Sequence, residues 1–122
     1  MSAESIVRDF CAAVSKLDIP ALGEFFADEA LYHNIPIDPV RGRAQIVEAL
    51  RQLIDPDGEA EFEILTLAVD GNRVFTERVN RLVVQGKRVE LAVAGVFEID
   101  GDGKISAWRD YFDLASLIKQ IG

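Results

Sequence analysis

The sequence predicts an α+β fold: helices first, then a strongly curved, mainly antiparallel mixed sheet on which they pack, in a single domain spanning 1–122. Three observations point there. Apolar residues recur at helical spacing in the first half. Long β-rich runs joined by Gly-containing turns fill the second half, and a short apolar-periodic segment closes the chain.

Ile6, Phe10, Val14 and Leu17 fall on one helical stripe, widened by Val7 and Cys11. Asp18 followed by Pro20 marks a second helix start, leading into Leu22, Phe25 and Phe26. A third helix begins near Gly42, buries Ile46, Val47, Leu50 and Leu53, and ends before the turn residues of DPDG at 55–58. LYHNIP (31–36) is a strand on which Tyr32 and Asn34 share a face, with His33 opposite. Four longer strands follow: AEFEILTLAV (60–69), RVFTERVNRLVV (73–84), RVELAVAGVFEI (88–99) and KISAWRDYFD (104–113). DGN, QGK and DGDG separate them, as in an antiparallel meander, and LASLIKQI (114–121) forms the last helix.

Net charge is −8, which disfavours nucleic acid and anionic membrane surfaces as partners. Apolar residues make up 49 % and charged residues 28 %, the balance of a soluble globular chain. Cys11, the one cysteine, lies in an apolar helical pattern and is expected to be a small buried residue. MSAESIVRDF lacks a basic region followed by an apolar run, and no segment is long enough to span a bilayer. A cytoplasmic location is expected.

Most catalytic templates are missing. One histidine (His33) and one distant cysteine cannot make a usual zinc site, and no clustered carboxylate pattern suggests another metal. Neither a Gly-x-Ser-x-Gly elbow nor a phosphate-binding glycine loop is present. The strand TERVNRL (76–82) is more informative, because Arg78, Asn80 and Leu82 share one face. A wet face has little use for the leucine, and a dry one cannot hold the arginine without a partner. In KISAWRDYFD, Trp108, Asp110 and Phe112 share one face, and Ile105, Ala107, Arg109 and Tyr111 the other. Two explanations fit these mixed faces: a sheet edge with one wet side, or a sheet curled around a cavity. In the second, Asp110 is the candidate base, Arg78 its charge partner, and Tyr32 with Asn34 a phenol and amide able to hold a water.

YHNIP, TERVNRL, GVFEI and WRDYFDL, in this order and spacing from about residue 30 to residue 115, resemble the limonene-1,2-epoxide hydrolase family. That family belongs to the cone-fold group of SnoaL-like cyclases, ketosteroid isomerases and nuclear transport factor 2-like proteins. The resemblance implies a deep, mostly apolar pocket for a small epoxide-like ligand, a one-step reaction without metal or cofactor, and a homodimer formed across the exposed sheet face. It implies that Asp110 takes a proton from the attacking water, that Tyr32 and Asn34 help position that water, and that Arg78 bridges two acidic residues. Leu53, Phe62, Leu82, Leu91, Val93 and Phe112 fall where the family lines its pocket, and Trp108 flanks Asp110 as a further candidate wall residue.

At the position of the family's second acid, which protonates the epoxide oxygen, this chain has Asn80. An amide donates a hydrogen bond but delivers no proton at neutral pH, and lost general-acid help costs on the order of 10²–10⁴ in rate. With no second acid to bridge, Arg78 is expected to serve Asp110 alone and to weaken it as a base. Three functions stay open: an epoxide hydrolase altered at its acid, an isomerase or cyclase using Asp110 as base with Asn80 as an oxyanion donor, or a non-catalytic binder of an apolar ligand.

Overall fold

A computed structural model describes residues 2–122. The elements are α1 (Ala3–Ala13), α2 (Ile19–Gly23), β1 (Phe26–Ile35), β2 (Val40–Arg41), α3 (Arg43–Leu53), β3 (Ala60–Asp70), β4 (Arg73–Val84), β5 (Lys87–Ile99), β6 (Ile105–Phe112) and α4 (Leu114–Ile121). One six-stranded sheet runs in the order β2-β1-β6-β5-β4-β3. Every neighbouring pair is antiparallel except β1 and β6, which run parallel. The expected α+β arrangement with a mixed sheet is thus present.

Local chemistry sets the boundaries. Ser2 Oγ accepts from the Ser5 N–H at 3.0 Å and Asp18 Oδ1 from the Ala21 N–H at 3.1 Å, capping α1 and α2. Asp113 caps α4 through the N–H groups of Ala115 and Ser116. Gln85 and Gly86, both at positive φ (52° and 76°), form the two-residue turn that matches strand twist between β4 and β5.

Three expectations need correction. The second helix stops at Gly23 with Glu24 as its C-cap, and Phe26 opens β1: the Phe25 carbonyl accepts from the Ile105 N–H at 2.8 Å, which ties the chain to β6. The strand expected at 31–36 begins at Phe26, its first half disguised by the acidic pair Asp28 and Glu29 between alanines, and the short β2 was not foreseen. Ile105 does not share the outer face of Arg109: a register shift between Glu98 and Ile99 lets both Ile105 and Trp108 enter the core.

The core lies between the helices and the concave sheet face. Ile6, Val7, Phe10 and Cys11 of α1 and Ile46 and Leu50 of α3 are buried there. Trp108 is its centre: Phe10 meets it edge-on at 5.1 Å, while Phe97 and Tyr32 stack on it at 5.4 and 4.2 Å. Such pairs contribute about 0.5–1.5 kcal/mol each beyond area burial. The cluster therefore fixes the indole, and through it the group that the indole holds.

Candidate active site

Asp110 is 3 % exposed, and both its oxygens are occupied. Oδ1 accepts from Trp108 Nε1 at 2.7 Å and Oδ2 from Arg78 Nη2 at 2.6 Å. Arg78 is fully buried, with the rings of Phe62 and Phe97 at 5.0 and 5.6 Å from its guanidinium carbon. It does not serve Asp110 alone: Nε donates to Asn80 Oδ1 at 3.2 Å and Nη1 to Thr76 Oγ1 at 3.0 Å. The neutral amide still offers a carbonyl oxygen, so the arginine keeps its second partner without a second charge.

The parallel pairing of β1 with β6 sets Asn34 opposite Asp110 and Tyr32 opposite Trp108. Asn34 Nδ2 donates to Tyr32 Oη at 2.7 Å, which leaves the phenol proton, the amide oxygen and the second amide N–H available in that pair. Tyr32, Asn34, Asn80 and Asp110 all border one cavity of about 70 Å³. Its apolar wall comprises Leu53, Leu82, Leu91, Val93 and Phe112, together with Ile37 and Leu117, which the sequence did not single out. Phe62 and Trp108 do not line it. They lie behind the polar groups, Phe62 against the guanidinium and Trp108 beneath Asp110 and Tyr32, because alternation gives the face of a residue and not its depth.

Burial pushes the Asp110 carboxyl above the usual carboxylate range; the Arg78 charge and the hydrogen bonds from Arg78 and Trp108 pull it down without cancelling that effect. Arg78 lowers the Asp110 pKa, as expected, but the net shift is upward because burial outweighs it. An acid whose pKa rises on folding binds its proton more tightly in the folded chain. Its contribution favours folding at low pH and is lost as pH climbs from the ordinary value of 3.8 through the raised one. Tyr32 is pushed up by burial and by the Asp110 charge, and so keeps its proton. Cys11, 3 % exposed in the core, is pushed up to about 11, chiefly by burial, and is a neutral thiol as expected.

Gly95 was missed by sequence reasoning, as was Thr76. Gly95 lies on β5 between Thr76 and Asp110 in register, and a Cβ there would collide with Asp110 Oδ1 and come within 2.5 Å of Arg78 Nη1. The ion pair therefore rests on bare backbone. Among the described residues, no group of three or more His, Cys, Asp or Glu could hold a metal ion, and no helix is long and apolar enough to cross a membrane.

A buried carboxylate, an arginine, a phenol and two amides thus meet at one apolar cavity. Residues 1–122 match the model of the limonene-1,2-epoxide hydrolase catalytic domain, and the chain belongs to that family. It is 34 % identical over 115 residues to epoxide hydrolase EphG of Mycobacterium tuberculosis (strain ATCC 25618 / H37Rv), a match covering 93 % of this chain and 74 % of that protein. The structure of an M. tuberculosis LEH-like epoxide hydrolase is similar at 33 % identity and a TM-score of 0.83, covering 98 % of this chain and 88 % of that one. SalBIII, an epoxide hydrolase/cyclase-like enzyme of pyran ring formation in polyether salinomycin, shares the fold at 22 % identity. Its TM-score is 0.83, with 93 % of this chain and 92 % of that one covered. The architecture is the cone fold of the nuclear transport factor 2-like group.

Proposed function

We propose that this chain is a cofactor-free epoxide hydrolase that opens a small epoxide to a vicinal diol in one step. The observation that carries this reading is Asp110: a buried carboxylate with a raised pKa at the wall of an apolar cavity, directly opposite Asn34 in register. Asp110 takes a proton from water as that water attacks an epoxide carbon; Tyr32 and Asn34 hold the water, and Arg78 orients the carboxylate. The ring oxygen departs toward Asn80. Its Oδ1 is taken by Arg78, so its Nδ2 is the side to meet the oxygen as a hydrogen-bond donor, and the alkoxide then gains a proton from solvent.

Asn80 also favours a second reading, in which Asp110 removes a carbon-bound proton and Nδ2 stabilises the resulting oxyanion, as in an isomerisation or cyclisation. Diol assays on limonene-1,2-epoxide and a panel of small cyclic and aryl epoxides separate the two. Asp110→Asn is expected to lower diol formation by at least about 10²-fold. In the unsubstituted chain, kcat/KM should rise with pH through a limb above the ordinary carboxylate range, because the base must lose its proton to act. Diol formation indifferent to Asp110→Asn sinks the hydrolase reading, and Asp110-dependent proton exchange on an enolisable ketone with no diol supports the second. Neither diol nor proton exchange from the folded parent chain leaves a ligand-binding role.

We place the protein in the cytoplasm, in keeping with its free buried cysteine. A homodimer across the outer sheet face is supported by Ala92 and Ala94, exposed in the middle of β5, beside Phe75 (40 % exposed) and Tyr111 (46 % exposed). Light scattering should give twice the chain mass, falling to one chain in Ala94→Arg; a monomeric parent chain refutes this assembly.

A further inference from the structure

The hydroxyl of Thr76 has one proton, and it goes to the Gly95 carbonyl at 3.2 Å. What Thr76 turns toward Arg78 is therefore a lone pair, which accepts from Nη1 at 3.0 Å. Nη1 and Asp110 Oδ1 are near neighbours, since both lie closer than 3.0 Å to the point where a Cβ on Gly95 would stand. No hydrogen bond joins them. Oδ1 accepts from Trp108 instead, and Arg78 reaches Asp110 only through Nη2 and Oδ2. A guanidinium beside a carboxylate ordinarily closes on both oxygens, the stronger geometry of the two.

We propose that Thr76 is a positioning residue: by accepting from Nη1 while its own hydroxyl is anchored on the Gly95 carbonyl, it limits the grip of Arg78 on Asp110 to a single N–H. The consequence is chemical. A two-handed arginine stabilises the carboxylate more and makes it a poorer base, whereas a one-handed arginine orients it and leaves it able to take a proton. The other titratable groups facing Asp110 are Tyr32 on β1 and Cys11 on α1. Both are pushed up by burial and stay neutral through the acid range, so Arg78 on β4 is the charge whose placement matters.

This inference rests on the reading of Asp110 as the base, but its test follows the proton without turnover. Trp108 is the one tryptophan of the chain, and its indole N–H donates to Asp110 Oδ1, so its ¹H–¹⁵N resonance reports the ionisation of Asp110. In Thr76→Val the midpoint of that titration should fall by about one pH unit or more, the size of an added arginine contact. In Thr76→Ser, which keeps the hydroxyl, it should stay at the parent value. An unchanged midpoint in a folded Thr76→Val, or a serine variant that behaves like valine, overturns the proposal. Should valine prevent folding, the parent chain decides: as Asp110 titrates, one Arg78 Nη group should shift while the other holds still, and equal shifts of both overturn it. A lowered midpoint in Thr76→Val together with diol formation indifferent to Asp110→Asn would keep the positioning role and discard the catalytic one.

Discussion

Asn80→Asp raises diol formation from limonene-1,2-epoxide by about 10²–10⁴-fold, the usual contribution of a positioned general acid. The surroundings are ready for the change. Arg78 Nε already donates to Asn80 Oδ1 at 3.2 Å, and a carboxyl of the same shape keeps that bond. Its second oxygen would replace Nδ2 beside the cavity. Two carboxyl groups would then share one arginine in a buried site, which favours retention of a proton by one of them. Asp110 accepts from two donors, Arg78 and Trp108, against the one Arg78 N–H at position 80, so the shared proton is expected on the carboxyl at 80. Adding Asp110→Asn should abolish the gain. A folded Asn80→Asp chain with unchanged diol formation contradicts the proposed path of the leaving oxygen.

Gly95→Ala is the most damaging single-methyl change expected in this chain. The methyl has nowhere to go, because Asp110 Oδ1 and Arg78 Nη1 occupy its volume and Thr76 Oγ1 stands 3.3 Å away. Overpacking of a closed site costs about 1–3 kcal/mol, and displacement of a catalytic pair by an ångström costs roughly 10² in rate. Thermal melting and kcat should therefore fall together. Gly101→Ala is the control: nothing lies within 4 Å of its added Cβ, and an exposed change of this kind stays within about 0.5 kcal/mol. A Gly95→Ala chain as stable and active as the control would mean that the pair can move aside at no cost.

The meander was legible because β3 to β6 carry strong β-formers and their turns carry glycine. The polar half of β1 has no such pattern, and its partner lies near the other end of the chain, so its length and parallel pairing were hidden. Arg78, Asn80 and Asp110 stood out as polar residues on apolar faces. Thr76 lies on the same face as Arg78, but threonine is an ordinary strand residue and its spacing carries no signal. Gly95 was invisible for a different reason: its role exists only once β4 and β6 are registered on either side of β5. Phe62, put on the cavity wall by the resemblance, and Trp108, put there by its place beside Asp110, lie behind the polar groups instead, because packing decides which inward residue meets the cavity and which meets its neighbours.

The parallel pairing of β1 with β6 has a consequence for how this molecule comes into being. β6 comes last of the six strands in chain order, yet it is inserted between the first long strand and β5, in the middle of the sheet order. A nascent chain that ends before it has two open strand edges, an aggregation hazard, and an aromatic core without its central indole. It also lacks the carboxylate, while the phenol and amide that face it were translated long before. The strand that completes the hydrophobic core also carries Asp110, the proposed base. A chain that stops short of β6 should therefore be both prone to aggregate and inactive on epoxides.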